Sequence, residues 1–577
     1  MFIGDIKHTG NKLFFIFSVI LFFSTGYPVN GQQPEPDRLY AHVNKLFYVS
    51  GETIQFKVYI FNASASPSDL IHADLIDEKG DIINEQILKI SNNTSYGSLE
   101  IPLSQSEGIY FLRIYSAWNL NFTANFNFVK TVPIYNDFNQ SFESIMDDTI
   151  SMENINTLER NNNYLDITIL DITSIHTRGS IKLDVRDIQH RDGELKGNIS
   201  VSVWDIDKCG FTDQNFVHEQ YERQTALNNS SDIINYPPEK SILIEGNIFE
   251  TDSRQPVTSK VLSVYNTTTS TFMRINSDKG EFSFEIPAFT GSANLQVINM
   301  NPFQPKVNLV ERKKLSEHIP IPKTEEYVPE RSSLINKYLY YSRLRRKIKE
   351  LYNETSHDSI KLVDPPVLPF KPDRSYNIDK YQLLRNVEEF VREAVVNTSH
   401  IIESGEKKLL LFNQETRKFF MSSPWFLVDG HFIFNDSLTY NIPFNMLKRI
   451  DVYNTNKSIL EYFEPIMIQG GVVAVYTKNN YLIDYIESQP NTLSIEGLTT
   501  TLEESDYQNL VSQSSPDQKP YLNPLIYWNP ELRFNESGEV QFEILTNDVS
   551  GYYLIHIEGI DAAGKPLSGQ IIIEVHP

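Results

Sequence analysis

Tyr48-Val-Ser-Gly-Glu-Thr-Ile-Gln-Phe-Lys-Val-Tyr-Ile60 is the stretch whose pattern sets the fold class. Ile54, Phe56, Val58 and Ile60 alternate with Gln55, Lys57 and Tyr59, the period-2 signature of a half-buried strand. Ser50-Gly51 supplies the turn that leads into it. Further on, Asp74 to Gly80 reads as a strand running into a hairpin turn, and Gly108-Ile-Tyr-Phe-Leu-Arg-Ile-Tyr115 as another alternating strand. Short strands separated by turns imply a β-sandwich over residues 36–133.

The theme recurs along the 577 residues. Leu165 to Leu170, Ile181 to Arg186 and Asn198-Ile-Ser-Val-Ser-Val-Trp-Asp205 read as strands of a second sandwich, 160–210, partly irregular to 240. The Tyr48–Tyr59 run and the Gly108–Arg113 strand resemble the macroglobulin-type sandwich of α-2-macroglobulins, and Asn198–Asp205 resembles the last strand of such a domain. An unrelated immunoglobulin-like sandwich is the alternative. Ile244 to Phe249 and Asn276-Ser-Asp-Lys-Gly-Glu-Phe-Ser-Phe284 resemble the carboxypeptidase-regulatory-like domain, a small sandwich without peptidase chemistry, here 241–301. Residues 302–376 read as a proline-rich linker with a helix from Ser332 to Tyr352. On that helix Lys337, Arg343, Arg345, Arg346, Lys347 and Lys349 crowd the face away from the apolar stripe, for anionic phosphates, an acidic partner or the protein's own acidic neighbours. A second helix is expected over Ile378–Val396. Residues 515–577, with Tyr527-Trp-Asn-Pro530 and the strands after Gly538, Gly551 and Gly569, resemble a terminal macroglobulin-like sandwich of Bacteroidetes envelope proteins.

Between them, residues 377–480 resemble the plug domain of TonB-dependent outer-membrane receptors. The resemblance rests on three runs in order: Pro424-Trp-Phe-Leu-Val-Asp-Gly430, Ile442 to Tyr453, and Gln469-Gly-Gly-Val-Val-Ala-Val-Tyr-Thr-Lys478. The residues that carry it are Asp429, Gly430, Arg449, Gly470, Gly471, Thr477 and Lys478. Asp429-Gly430 suits a two-residue hairpin turn, since both tolerate φ > 0. About a hundred residues follow, too few for a receptor barrel, whose strands take roughly 9–11 residues each. The resemblance therefore implies an interaction module without a pore of its own.

Lys7 and Lys12 ahead of the apolar run Leu13–Phe23 read as a secretory signal over residues 1–31, and no later segment has the length of a membrane span. The net charge of −23 argues against nucleic-acid binding, which needs a basic surface. A single cysteine, Cys209, forms no internal disulfide, and Cys209-Gly210 continues with Phe211-Thr212 rather than the Glu-Gln of a thioester. No zinc motif, phosphate loop, nucleophile elbow or dinucleotide fingerprint is present, so no catalytic, cofactor or metal residue is assigned. Asp77 and Asp278 read as turn residues rather than Ca²⁺ ligands.

The expectation is a mainly β, multidomain protein: several sandwiches plus a small α+β plug-like domain and a helical connector. It is expected to be exported, to the periplasm or the outer membrane, and to be a non-enzymatic binding scaffold. The expected partner is an outer-membrane barrel or another envelope protein. Two other functions stay open. One is protease or peptide capture without a thioester, with Gln304–Arg331 as bait; the other is an exported hydrolase.

Overall fold

The computed structural model describes residues 35–61, 66–138, 164–170, 175–188, 197–210, 216–227, 234–250, 253–257, 260–298, 307–311, 315, 319–320, 332–352, 368–381, 384–395, 397–403, 406–489, 491–499, 519–561 and 563–577. The expected signal segment, 1–31, lies outside them.

Eight strands build the first sandwich: β1 (Leu39–Val43), β2 (Tyr48–Val49), β3 (Thr53–Ile60), β4 (Leu70–Asp77), β5 (Ile82–Lys89), β6 (Thr94–Glu100), β7 (Gly108–Tyr115) and β8 (Phe128–Tyr135). They form the sheets β1-β3-β6 and β2-β8-β7-β4-β5. Ile54, Phe56 and Val58 face Leu75, Leu112 and Ile134 in the shared core, as the alternation requires. The opposite face of β3 departs from expectation. Lys57 and Tyr59 are also buried, so the strand is covered on both sides. Its polar positions meet a second sandwich rather than water.

That second sandwich is split in the chain. Its first part is β9 (Leu165–Ile169), β10 (Ser180–Asp187) and β11 (Asn198–Asp205). Everything up to residue 524 intervenes before β27 (Leu525–Arg533), β28 (Glu539–Leu545), β29 (Gly551–Ile560) and β30 (Pro566–Val575) complete it. The sheets are β28-β10-β9 and β27-β11-β29-β30. Leu183 pairs with Phe542 and Val185 with Val540, while Val201 pairs with Ile557 and Val203 with Ile555. This corrects the expectation of separate sandwiches at 160–210 and 515–577. Ile199, Val201 and Val203 in β11 need a neighbour on each side, and only the distant strands supply them. The two sandwiches share a local device. Tyr110 and Tyr553 each lie two residues after a glycine and donate a hydroxyl to the carbonyl four residues upstream, Ser106 and Val549, both at 2.8 Å. Such tyrosine corners fix the entry of a sandwich strand.

Nested inside the split is a third set: β12 (Ile242–Glu250), β13 (Lys260–Asn266), β14 (Thr271–Ser277), β15 (Glu281–Ile286), β16 (Ser292–Ile298) and β17 (Val307–Glu311), closed by β26 (Thr492–Glu496). Its sheets are β15-β12-β17 and β14-β13-β16-β26. The expected boundary of 241–301 is therefore too narrow. β17 falls within the expected linker and bait segment, where it pairs with β12; most of Gln304–Arg331 lies outside the described residues. β26 pairs Leu493 with Leu295.

A deeper insertion lies before β26. Helix α1 (Phe216–Thr225) braces the first sandwich, α2 (Ser333–Leu351) is the basic helix, and α3 (Val387–Ala394) belongs to the plug-like unit. That unit contains β18 (Arg374–Asn377), β19 (Thr398–Glu403), β20 (Glu406–Asn413), β21 (Lys418–Phe419), β22 (Trp425–Val428), β23 (His431–Ile433), β24 (Leu447–Tyr453) and β25 (Val472–Thr477). The order of its main sheet is β18-β24-β25-β22-β23, with β19-β20-β21 as a separate ribbon. It starts before residue 377, because β18 pairs with β24. The helix expected over Ile378–Val396 is shortened to α3. Asn386 caps α3 by accepting from Glu389 N at 3.0 Å, and Ile378–Lys380 instead forms a single 3₁₀ turn.

Candidate functional site

The seven plug-like motif residues all lie on or beside the main sheet of the inserted unit, at separate points. Asp429 and Gly430 form the two-residue turn between β22 and β23, with φ of +48° and +80°. The Asp429 carboxylate accepts from Thr477 N at 2.7 Å and from the Thr477 hydroxyl, tying the hairpin to the end of β25. Burial pushes its pKa above the usual value, and the two Thr477 bonds oppose that. Arg449 lies over the Tyr476 ring at 4.2 Å and pairs with Asp451 at 3.0 Å. Lys478 Nζ donates to Asn445 O at 3.0 Å. Gly470 and Gly471 sit at the other end of β25. A Cβ on Gly470 would stand 2.0 Å from Ser423 O, and Gly471 has φ +77°. These residues close turns and pin strands; they do not converge on a pocket. Gly470→Ala should lower the stability of the unit by ~1–3 kcal/mol, the usual cost of overpacking, read as a fall in melting temperature.

The ribbon beside that sheet is different. Ile401 and Ile402 on β19, Phe419 on β21 and Met421 just after it are exposed, Ile402 to 76% and Met421 to 94%. Among the described residues β19 is an edge strand, paired with β20. Exposed apolar side chains beside an open edge are a recognised recipe for strand addition or docking.

The basic helix α2 is docked rather than solvated. Ile335, Tyr338 and Leu339 pack with Phe47 and Val49 of the first sandwich and with Trp204, Cys209 and Leu554 of the second. Burial raises the Cys209 thiol well above its usual pKa, which leaves it an inert apolar filler. Glu52 gathers the local cations: Lys45 Nζ at 2.6 Å, Arg345 Nη2 at 3.1 Å, and the Tyr338 hydroxyl at 2.7 Å. Burial opposes ionisation of Glu52, but Lys45 and Arg345 outweigh it and hold the pKa below the usual value. Arg343 donates to Asp137 O, and Arg346 pairs with the buried Asp137 carboxylate. Arg346→Ala should strip that carboxylate of its cation and cost ~3 kcal/mol by denaturant unfolding, with Arg346→Lys losing less.

Between the sandwiches lies a buried polar network that the sequence did not flag. His42 of β1 contacts Ser200 Oγ at 2.6 Å and Ser202 Oγ at 3.1 Å, both on β11. Tyr59 of β3 donates to Ser200 Oγ at 2.7 Å and Tyr40 to Glu558 Oε2 at 2.6 Å. Burial, partly offset by the Tyr40 bond and Lys130, pushes Glu558 up to about 7. Burial drives His556 down to about 3 and His42 well below its ordinary value, with Lys130 adding to both. The contacts of Glu558 with His42 at 4.0 Å and His556 at 3.6 Å therefore involve neutral rings near pH 7, not ion pairs. Ser200, His42 and Glu558 resemble a hydrolytic set in composition, but all three are sealed between the sheets. The polar residues of β1 and β3, at alternate positions, were the available signal; what they faced was not.

Among the described residues no cluster of three or more His, Cys, Asp or Glu could hold a metal ion, and no helix is long and apolar enough to cross a membrane. Asp77 accepts from Lys79 N and Asp81 N, closing its own turn.

No family model matches the chain, and no curated protein matches it. Among solved structures, a mutant Salmonella alpha-2-macroglobulin is similar at 9% identity, covering 96% of this chain and 40% of that one, with a TM-score of 0.24. The native conformation of E. coli alpha-2-macroglobulin gives 9% identity, 95% and 40% coverage, and 0.24. The elastase-activated E. coli protein gives 10%, 94% and 44%, and 0.24. This chain thus spans less than half the length of those proteins, and superpositions at that score do not place it on one shared fold.

Proposed function

We propose that the protein is a non-enzymatic scaffold of the cell envelope whose inserted plug-like unit docks to an outer-membrane or periplasmic protein. The supporting observation is the β19–β21 ribbon, where Ile402 and Met421 stand exposed beside an edge strand. The sandwiches and α2 act as the frame that presents it. The plug resemblance of Asp429 to Lys478 points to an envelope setting, and the apolar run Leu13–Phe23 to export. Polar groups that could do chemistry are spent on holding sheets together, as with Asp429–Thr477 and His42–Ser200.

Solubilised envelopes test the reading. The wild-type chain should recover an outer-membrane or periplasmic protein, and Ile402→Glu with Met421→Glu should abolish that recovery while leaving the melting temperature unchanged, since both side chains are in water. Equal recovery by the double variant removes the ribbon as the docking surface.

A further inference from the structure

We propose that a second site, the cleft where α2 meets both sandwiches, binds an extended acidic peptide segment of a partner protein. The cleft holds about 480 Å³, within the size range of ligand sites. Its cations come from three parts of the fold: Lys45 from the first sandwich, Arg345, Arg346 and Lys349 from α2, and Lys519 ahead of β27. Glu52 is the one carboxylate in the lining. In a chain with net charge −23, five cations set against Glu52 in the lining and Asp137, the partner of Arg346, behind it are a local reversal of sign.

Internal pairing does not use up that charge. Glu52 is shared by Lys45 and Arg345. Arg345 Nη1 is buried and has no acceptor among the described residues, a condition that costs free energy until a ligand oxygen supplies one. Lys349 is exposed and forms no ion pair with a described residue. A carboxylate entering here meets Arg345 and Lys349 from one helix.

The opposite wall favours a peptide over a free anion. Leu525 to Trp528 line it from the first half of β27, which among the described residues pairs with β11; Ile526, Tyr527 and Trp528 are buried and form its firm back wall. Leu522 and Leu525 stand half-buried at the rim and offer apolar surface to the side chains of an extended segment. Leu103 and Ile348 give the cleft apolar surface for the residues between the acidic ones. The arrangement suits a segment that alternates carboxylate and aliphatic side chains. It is independent of the β19–β21 ribbon, so either site can fail without the other.

The test is fluorescence anisotropy on the full chain with a short labelled peptide alternating Glu and Val. Its counterpart with Lys in place of Glu serves as a control, and inorganic phosphate as competitor. The Glu peptide should bind and weaken with added salt. Lys349→Glu should weaken it at least about tenfold, the value of one charge-assisted hydrogen bond, with the melting temperature unchanged. Lys349→Glu combined with Lys519→Glu should weaken it further. Absence of binding, equal binding by the Lys peptide, or unchanged affinity in the double variant would overturn the proposal. So would displacement by phosphate at the peptide's own concentration, which would leave a simple anion site.

Discussion

A chain ended after Gly497 should lose the second sandwich entirely, including the strands β9–β11 that it still contains. The cut removes Ile526, Trp528, Ile544, Tyr553, Leu554, Ile555, Ile557 and Ile573, all buried. At ~1.5–3 kcal/mol for each large apolar side chain, the loss exceeds the ~5–15 kcal/mol that holds a typical domain together. β10 would lose β28 and β11 would lose both of its neighbours. Hydrogen exchange should therefore show Leu165–Asp205 unprotected in the shortened chain, while the strands of the plug-like unit keep their protection. Retained protection of β11 would mean that residues 160–210 fold alone and that the pairing with β27 and β29 is dispensable. The shortened chain should also lose the packing of α2, since Leu554 is part of the surface it docks on.

The second large effect is acid sensitivity at the joint between the sandwiches. His42 and His556 have folded pKa values below their ordinary 6.5, His556 at about 3, so the stability they contribute is present above 6.5 and is lost as pH falls. Glu558 acts in the opposite direction. Its folded pKa, about 7, lies above its ordinary 4.5, so its contribution is present below 4.5 and is lost as pH rises through 7. Between 6.5 and 4.5 the unfolded chain protonates both histidines, while in the folded chain burial keeps His556 neutral, disfavours the proton on His42, and favours the proton on Glu558. Over that range His556 and Glu558 oppose each other, and His42, held down by burial, tips the balance so that these three groups make stability fall on acidification. Lys130, whose pKa burial lowers, and Tyr40 and Tyr59, whose pKa values burial raises, also face the network. Denaturant unfolding through that range measures the slope. Glu558→Gln keeps an acceptor for Tyr40 and removes the opposing proton, so stability should fall more steeply on acidification. A flat profile in the wild-type chain would show that the histidines reach solvent.

Strand identity was largely legible from the alternation of residue types in β3 and β11, although burial in β3, β7, β11 and β29 runs over both faces. The Asp429-Gly430 turn was legible because few residue pairs tolerate positive φ at both positions. Partnership was not legible. The alternation in Asn198–Asp205 says which face is apolar, but nothing in it names Gly551–Ile560 as the neighbour. The same gap hid the joint between the sandwiches. Lys57 and Tyr59 look like solvent-facing residues, and only a sheet supplied from the far end of the chain makes them interior; burial there brings Lys57 down to about 8. On the basic helix the charges were visible, while the carboxylates that receive them, Glu52 and Asp137, lie some two to three hundred residues earlier in the chain. The candidate docking ribbon was only half visible, since exposure of Ile402 and Met421 depends on what else covers that sheet.

The proposed contact of the inserted unit with a partner runs through the β19–β21 ribbon. Photo-crosslinking in intact cells tests it directly, with a photoreactive residue at Met421 and, as a control, at Val261, which is 65% exposed on the third sandwich. One defined adduct with an envelope protein is expected from position 421 and none from 261. Equal labelling from the two positions, or no adduct from 421, would contradict it.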